Sequence, residues 1–349
     1  MLKLRKISML LVLIALLVGT LSGCAGSDDP APAPEQPATE APASEALASD
    51  YPEETITWNI SRDPGDGQDL IARGIARFLP DVLGVPVAVN NVPGAGGRVG
   101  YGELHRSVPD GYTIGQDVVG TMANFNALGE LDFPLDDIEW FCSIYKSPAA
   151  LWVSADGDIQ SIQDLIDFDG EVLIGDSSMA GTQVPWTIAL LERLGVEYSY
   201  VLGFEGTPPI NMAIMRGEVD MVARSVGGQA SMIGDLNAIV VMGEKRHPLL
   251  PDTPTLAEVA ADVGQPELNE ILPLGMTLYM VGAPPGTPDH ITDTLEEGIA
   301  AVFENQEFLT WAEDSNIDAD FQGKAEINET LTTVMRLLDE IGIVDKVNQ

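Results

Sequence analysis

Apolar positions recur with two periods along residues 51–349. Apolar runs of strand length lie at residues 55–60, 85–89, 112–116, 171–175, 198–202, 219–223, 238–242 and 276–283. Runs with helical spacing lie at residues 69–79, 98–106, 184–194, 210–216, 291–305 and 324–341, and Asp69 is the expected N-cap of the first. Strands that alternate with helices in this way predict an α/β fold with mostly parallel sheets covered by helices.

Residues 1–24 have the layout of a lipoprotein signal peptide. A short basic start precedes an apolar core at residues 7–18, and a lipobox ends at Cys24. The apolar core is shorter than the roughly 20 residues that a membrane span needs. We therefore predict lipidation of Cys24, which anchors the protein to the outer face of a membrane. The alternative is an ordinary signal peptide in which Cys24 is incidental.

Residues 25–50 consist almost entirely of Ala, Pro, Ser, Asp and Glu, with no apolar periodicity. Such a segment buries too little apolar surface to offset the entropy lost on ordering, so we predict a disordered tether. The roughly 300 residues that follow exceed what one hydrophobic core usually supports, which suggests two lobes.

Acidic residues dominate the body as well as the tether. The formal charge of the whole chain is −37, and residues 51–349 hold 14 basic and 48 acidic residues, which leaves −34 on the body. This balance excludes nucleic acid as an expected partner and disfavours direct docking on anionic lipid. It indicates either adaptation to a saline habitat or simply an acidic, solvated surface.

The chain lacks the patterns that mark an enzyme or a metalloprotein. It has no P-loop, no clean dinucleotide-binding glycine motif and no nucleophile elbow, and its three histidines are far apart. Cys142 lies in an apolar stretch typical of a buried, inert thiol. We expect no catalytic residue, no metal and no cofactor; a secreted hydrolase is the remote alternative.

Three loops rich in small residues follow predicted strands and precede predicted helices. They lie at residues 65–67, 94–97 and 180–182. Small residues let a ligand approach the main chain, and helix N-termini present free N–H groups to an anion. Such loops gather beyond the carboxyl ends of strands, where α/β sheets bind ligands, unless the glycines serve only tight turns.

Seven short motifs occur in an order that resembles the solute receptors of tripartite tricarboxylate transporters, the TctC or Bug family. They are PGDGQDLIAR at 64–73, NVPGAGGRVG at 91–100, PDGYT at 109–113, GTPP at 206–209, GEVD at 217–220, PDTPTLAE at 251–258 and APPGTP at 283–288. The resemblance covers residues 51 to about 345.

The resemblance implies a two-lobed periplasmic-binding-protein fold, type II-like, with a hinge and a central cleft. Lobe 1 would comprise residues 51–150 and 277–349, and lobe 2 residues 151–276. The chain would cross between them near residues 145–152 and 272–278. The implied partners are a small organic acid and two integral-membrane transporter subunits, one large with many spans and one small with four. We expect a monomer.

The resemblance also implies a set of ligand-binding residues at the loops of both lobes. The set is Pro64, Gly65, Asp66, Gly67, Asp69, Pro93, Gly94, Ala95, Gly96, Gly97, Thr121, Ser177, Ser178, Gly181, Thr182, Asp220, Arg224 and Ser225.

Several positions depart from the pattern of the family and leave the ligand open. Asp66 replaces a glycine, Glu205 replaces a lysine, and Arg62 stands where an apolar residue is usual. Arg62 and Asp66 are candidates to pair with each other. Arg224 is a candidate to bind a carboxylate in the cleft, or alternatively to form a surface ion pair.

The function predicted is capture of an organic carboxylate for ion-driven uptake. The alternatives are a receptor for a zwitterion such as an amino acid, or a receptor that signals to a sensor kinase.

Overall fold

The computed structural model describes residues 51–347. The predicted signal peptide, Cys24 and the tether lie outside the described residues. Within residues 51–347, no helix is both long enough and apolar enough to cross a membrane.

Within residues 51–347, ten strands form one sheet. They are β1 (Ile56–Ile60), β2 (Val87–Asn91), β3 (Thr113–Val118), β4 (Glu139–Ser154), β5 (Val172–Gly175), β6 (Tyr198–Val201), β7 (Met221–Ser225), β8 (Leu236–Val241), β9 (Met276–Ala283) and β10 (Ala319–Gly323). Along the sheet the order is β2-β1-β3-β9-β4-β7-β5-β6, and β8 and β10 each pair with β4.

Helices cover the strands. They are α1 (Gly67–Ala76), α2 (Leu79–Leu83), α3 (Arg98–His105), α4 (Val119–Ala127), α5 (Ile162–Ile166), α6 (Val184–Leu194), α7 (Thr207–Met215), α8 (Leu256–Asp262), α9 (Asp289–Phe303), α10 (Gln306–Asp314), α11 (Lys324–Ile341) and α12 (Ile343–Val347). Short 3₁₀ turns occur at Ala95–Gly97, Leu135–Asp137, Gly227–Met232 and Pro266–Gly275.

The sheet is mixed rather than mostly parallel. Strand β1 pairs in parallel with β2 and β3, and β5 pairs in parallel with β6 and β7. Strands β4 and β9, which lie between these two parallel groups, run antiparallel to their neighbours. We call β1–β3 the first strand group and β5–β7 the second. The parallel prediction therefore holds inside each group and fails between them, because long antiparallel strands join the groups.

Strand β4 is the longest, with 16 residues, and belongs to both halves of the sheet. Its first part, as far as Pro148, pairs with β9, and residues 149–153 pair with β7. The sequence analysis missed this strand because it is apolar on both faces, so it lacks the alternation that marks a half-buried strand. Pro148 lies where the pairing changes, and its carbonyl accepts from Val226 N at 2.9 Å.

The core packs on both sides of the sheet around large, fully buried side chains. Trp58 and Phe308 lie in the cluster beside the first strand group, and Trp152 lies in the cluster of β4, α7 and β7. Cys142 is buried in the first of these clusters, and burial raises the pKa of its thiol well above the usual range. The prediction of a buried thiol is confirmed, and the raised pKa agrees with the predicted low reactivity.

Helix α1 begins two residues earlier than the sequence analysis predicts. Its N-cap is Asp66, whose Oδ1 accepts from Gln68 N at 2.9 Å. Asp69 lies inside the first turn, and its carboxylate accepts from Gly65 N, Arg73 Nε and Asn91 Nδ2, each at 2.9 Å. The prediction that Asp69 is the cap is therefore wrong. Its carboxylate instead ties the loop after β1 to α1 and to the end of β2.

Candidate ligand-binding site

A cavity of about 370 Å³ lies where the loops of the two strand groups meet. Its lining comes from Arg62, Asp66, Gln68, Gly96, Val118, Thr121, Phe125, Asp176, Ser177, Ser178, Ala180, Gly181, Thr182, Gln183, Gly206, Thr207, Arg224, Ser225, Thr277 and Tyr279. These positions follow the carboxyl ends of β1, β2 and β3 on one side and of β5, β6 and β7 on the other. This is where α/β sheets place their ligands, because strand ends leave small loops and free N–H groups there.

We name the two sides of the cavity by their strand groups. The first wall is formed by the cavity residues from Arg62 to Phe125, and the second wall by those from Asp176 to Ser225. Strand β9 adds Thr277 and Tyr279, two positions apart and so on one face of the strand.

Half of the predicted site residues line this cavity. They are Asp66, Gly96, Thr121, Ser177, Ser178, Gly181, Thr182, Arg224 and Ser225. The structure thus brings together parts of loops that lie more than 150 residues apart in the chain.

The other predicted residues do not line the cavity. They are Pro64, Gly65, Gly67, Asp69, Pro93, Gly94, Ala95, Gly97 and Asp220. Asp69 holds the loop after β1 as described above, and Asp220 Oδ2 accepts from Leu173 N at 2.8 Å, which fixes the start of β5. Ala95 lines a separate groove beside Arg98. Gly94 has a φ of 134°, a backbone conformation that side chains disfavour, so a tight turn accounts for that glycine.

Several lining residues were absent from the predicted set. They are Arg62, Gln68, Val118, Phe125, Asp176, Ala180, Gln183, Gly206, Thr207, Thr277 and Tyr279. Arg62 and Asp176 directly extend the motif loops, so a wider window around each motif would have found them. Thr277 and Tyr279 carry no such signal, because only the pairing of β9 between the strand groups brings them to the cavity.

Arg224 lines the second wall, but its charge is already paired. Its Nη1 donates to Asp176 Oδ2 at 2.9 Å and to the carbonyl of Ala223 at 2.7 Å. The side chains of Arg224 and Asp176 are only 17% and 6% exposed. The ion pair is therefore not a surface pair, and Arg224 meets a ligand with a carboxylate already beside it.

The first wall carries Arg62 and Asp66 without a bond between them. Their charged groups form no ion pair with each other, which corrects the proposed pairing. The reason is that Asp66 turns back to cap α1, whereas Arg62 lies near Asp117. Asp117 is fully buried behind the wall, where burial raises the pKa of its carboxyl to about 6 despite the opposing effect of Arg62.

Hydrogen bonds join the two walls directly. Thr121 Oγ1 and Thr182 Oγ1 are 2.6 Å apart, and Asn124 Nδ2 donates to the carbonyl of Gly181 at 2.8 Å. Gln183 Nε2 donates to Thr277 Oγ1 at 2.8 Å, which ties the second wall to β9. These contacts hold the loop after β5 against α4 and β9.

The chemistry of the cavity is that of binding. Hydroxyl groups, main-chain loops and two guanidinium groups surround a small polar space. Among residues 51–347, no group of three or more His, Cys, Asp or Glu side chains could hold a metal ion. The fold and this cavity define the class of the protein, which is that of the proteins that bind a small molecule between strand-end loops.

Comparisons with known proteins place the chain more narrowly. Residues 71–343 match the model of the tripartite tricarboxylate transporter family receptor, TctC. A protein encoded in the tcbD-tcbE intergenic region of a Pseudomonas species is 30% identical over 257 residues, which cover 71% of this chain and 74% of that protein. The chain belongs to the TctC receptor family.

Solved structures share the fold. A Rhodopseudomonas palustris protein described with adipate has a TM-score of 0.70 at 21% identity, covering 84% of this chain and 98% of the other. MatC of the same species, described with bound malate, has a TM-score of 0.64 at 22% identity, covering 86% of this chain and 100% of the other. The predictions of the family, of the α/β binding-protein fold and of a receptor rather than an enzyme are confirmed.

Proposed function

We propose that this receptor captures a small organic carboxylate outside the cytoplasmic membrane and passes it to a tripartite tricarboxylate-type transporter. The large multi-span and small four-span membrane subunits of that transporter would then carry out ion-driven uptake. The observation that carries the proposal is the cavity of about 370 Å³ between the two strand groups. Its volume falls within the range of small-molecule sites, which is roughly 300–1,000 Å³.

The groups that line the cavity suit a carboxylate. Ser177 and one hydroxyl of the bonded pair Thr121–Thr182 offer donors, and Arg62 offers a guanidinium that can meet both oxygens of one carboxylate. Two proteins of the same fold are described with malate and with adipate, both of which are small organic acids, and this supports a carboxylate-bearing ligand here.

The test of this function is identification of the ligand. Protein purified without denaturation is analysed by native mass spectrometry for a bound acid, followed by thermal-shift screening of mono-, di- and tricarboxylates, aromatic acids and amino acids. We expect at least one carboxylate to raise the melting temperature in a saturable way. A protein that no carboxylate stabilises would contradict the proposal.

Membrane anchoring through Cys24 is part of the proposal. Cys24 precedes a segment rich in Ala and Pro at residues 25–50, which separates it from the ligand site. We expect Cys24→Ser to release the protein from membranes and to leave ligand affinity unchanged, because two acyl chains supply the anchor and neither touches the body. Fractionation after a salt wash, with the unaltered protein as control, measures this. A serine variant that stays with the membranes would remove the lipid anchor from the proposal.

Closure of two lobes around the ligand is the proposed mechanism. The lobes would be residues 51–150 with 277–349, and residues 151–276, and the chain would bend near residues 145–152 and 272–278. Strands β4 and β9 pass through these segments, and the change of pairing at Pro148 supports a bend there. Closure excludes water and strengthens the hydrogen bonds to the ligand. Small-angle scattering at saturating ligand should show a smaller radius of gyration, and an unchanged radius would contradict the mechanism.

A further inference from the structure

The charged side chains that line the cavity are two arginines and two aspartates. Arg224 and Asp176 neutralise each other at 2.9 Å in the second wall. Arg62 and Asp66 remain in the first wall. Within the described residues, the guanidinium of Arg62 forms no hydrogen bond and no ion pair shorter than 4.0 Å. The cavity therefore offers a ligand one available positive group and one available negative group.

Arg62 and Asp66 lie close enough to act on the same neighbour. Burial and Tyr145 raise the pKa of the Tyr279 hydroxyl, Asp66 raises it further, and Arg62 lowers it. Tyr279 itself lines the cavity. Both charges thus reach one region of the cavity, although they do not bond to each other.

Gln68 adds a third polar group to this wall. Its side chain is only 1% exposed, it lines the cavity, and its Oε1 has no hydrogen-bond partner. Gln68 Oε1 is closed off from the cavity, so it is not an acceptor for a ligand. The carboxylate of Asp66, which uses Oδ1 to cap α1, is exposed and is the acceptor of this wall that a donor group of a ligand can reach.

A dianion fits this arrangement poorly. One carboxylate can bind to Arg62, but a second would face either Asp66 or the already neutral pair of Arg224 with Asp176. Asp117 behind Arg62 weakens the positive field further when it is ionised. Like charges in a partly buried site repel strongly because the effective dielectric constant is low.

We propose that the ligand of this receptor is a zwitterion, with its carboxylate on Arg62 and a primary ammonium group on Asp66. The inference rests on the proposed function, namely that this cavity binds a small carboxylate, and it narrows the ligand to the class of amino acids. A primary ammonium group carries a positive charge and three N–H donors, which complement the carboxylate of Asp66.

Matched ligands test the proposal by calorimetry on the full chain. Each amino acid of two to six carbons is compared with its deaminated acid, with the dicarboxylate of equal carbon number and with its N-trimethylated form. We expect the preferred amino acid to bind at least about tenfold more tightly than the other three, a difference of about 1.4 kcal/mol. A dicarboxylate that binds as tightly as any amino acid would overturn the proposal of a zwitterionic ligand. The proposed function as a carboxylate receptor would still stand. If no carboxylate of any class binds, the proposed function itself fails.

Variants of the first wall locate the effect. Asp66→Asn keeps an N-cap for α1 and removes the negative charge. This variant should weaken binding of the amino acid at least about tenfold, whereas binding of the deaminated acid should be unchanged or tighter. Arg62→Gln should weaken the binding of both ligands. Asp63→Asn, in the same exposed loop but outside the cavity, is the matched control and should change neither. Equal losses for both ligands in Asp66→Asn, with an unchanged melting temperature, would overturn the proposal.

Discussion

In the second wall of the cavity Arg224 donates to Asp176 at 2.9 Å, whereas in the first wall Arg62 and Asp66 stand four residues apart without pairing. The second wall is thus electrostatically complete before a ligand arrives. The first wall leaves a guanidinium and a carboxylate that a ligand can pair with from the cavity. The two walls are built from the same kind of strand-end loop, but the charges of the second wall are paired within the protein, and under the zwitterion proposal the first wall selects the ligand.

The largest expected loss of stability comes from removing one partner of the ion pair in the second wall. Asp176→Ala leaves the mostly buried guanidinium of Arg224 without its partner, so the free energy of unfolding should fall by about 3 kcal/mol. Denaturant unfolding measures the loss. Glu218→Ala is the control, because its pair with Arg216 is 56% exposed on both sides, and it should change stability by less than about 0.5 kcal/mol. A loss in Asp176→Ala no larger than in the control would mean that the second wall is not self-supporting.

A second prediction concerns the buried carboxyl behind the first wall. Burial raises the pKa of Asp117 to about 6, above its ordinary value of 3.8, so the native state holds this proton more tightly than the unfolded state. The stabilising contribution is complete below pH about 4 and is lost as the pH rises through about 6, at most ~3 kcal/mol. Asp117→Asn cannot ionise, so its stability relative to the unaltered protein should rise between pH 4 and pH 8.

Unfolding measured at both pH values tests this effect of Asp117. Asp63 is an exposed acid of the neighbouring loop, so Asp63→Asn should have the same stability as the unaltered protein at both pH values. The free energies of unfolding of Asp117→Asn and of the unaltered protein could instead differ by the same amount at pH 4 and pH 8. Asp117 would then not be the titrating group, and no buried carboxylate would form behind the first wall.

The smallest expected effect lies in the contact between the walls. The hydrogen bond between Thr121 Oγ1 and Thr182 Oγ1, 2.6 Å long, should contribute about 1 kcal/mol to stability. Thr121→Val and Thr182→Val should each cost about that much, and the double variant should cost little more than one of them. A double-mutant cycle measures the coupling, and strictly additive losses would show that the walls are independent.

The sequence by itself determined the local elements and the family. The helical spacing of residues 184–194 and 324–341 and the apolar run at 276–283 match α6, α11 and β9 to the residue. Glycines in the left-handed conformation end α6 and α11, at Gly195 and Gly342, so the sequence itself specifies where these helices end. The ordered motifs from residue 64 to residue 288 identified the TctC family, because turns such as those at Gly65 and Gly94, which have positive φ, favour glycine at fixed positions.

Only the tertiary structure decided how the sheet is joined and which charges the cavity presents. Strand β4 has no alternation to detect, because both of its faces are buried. Asp176 and Arg224 are 48 residues apart, and their ion pair depends on where the ends of β5 and β7 converge. Asp66 was recognised as a departure from the family, but its turn toward α1 and the separation of Arg62 from it follow from the fold. Periodicity is a local property of a chain, whereas the partner of a charge is set by packing between distant segments, and that packing made one wall of the cavity complete and left the other open.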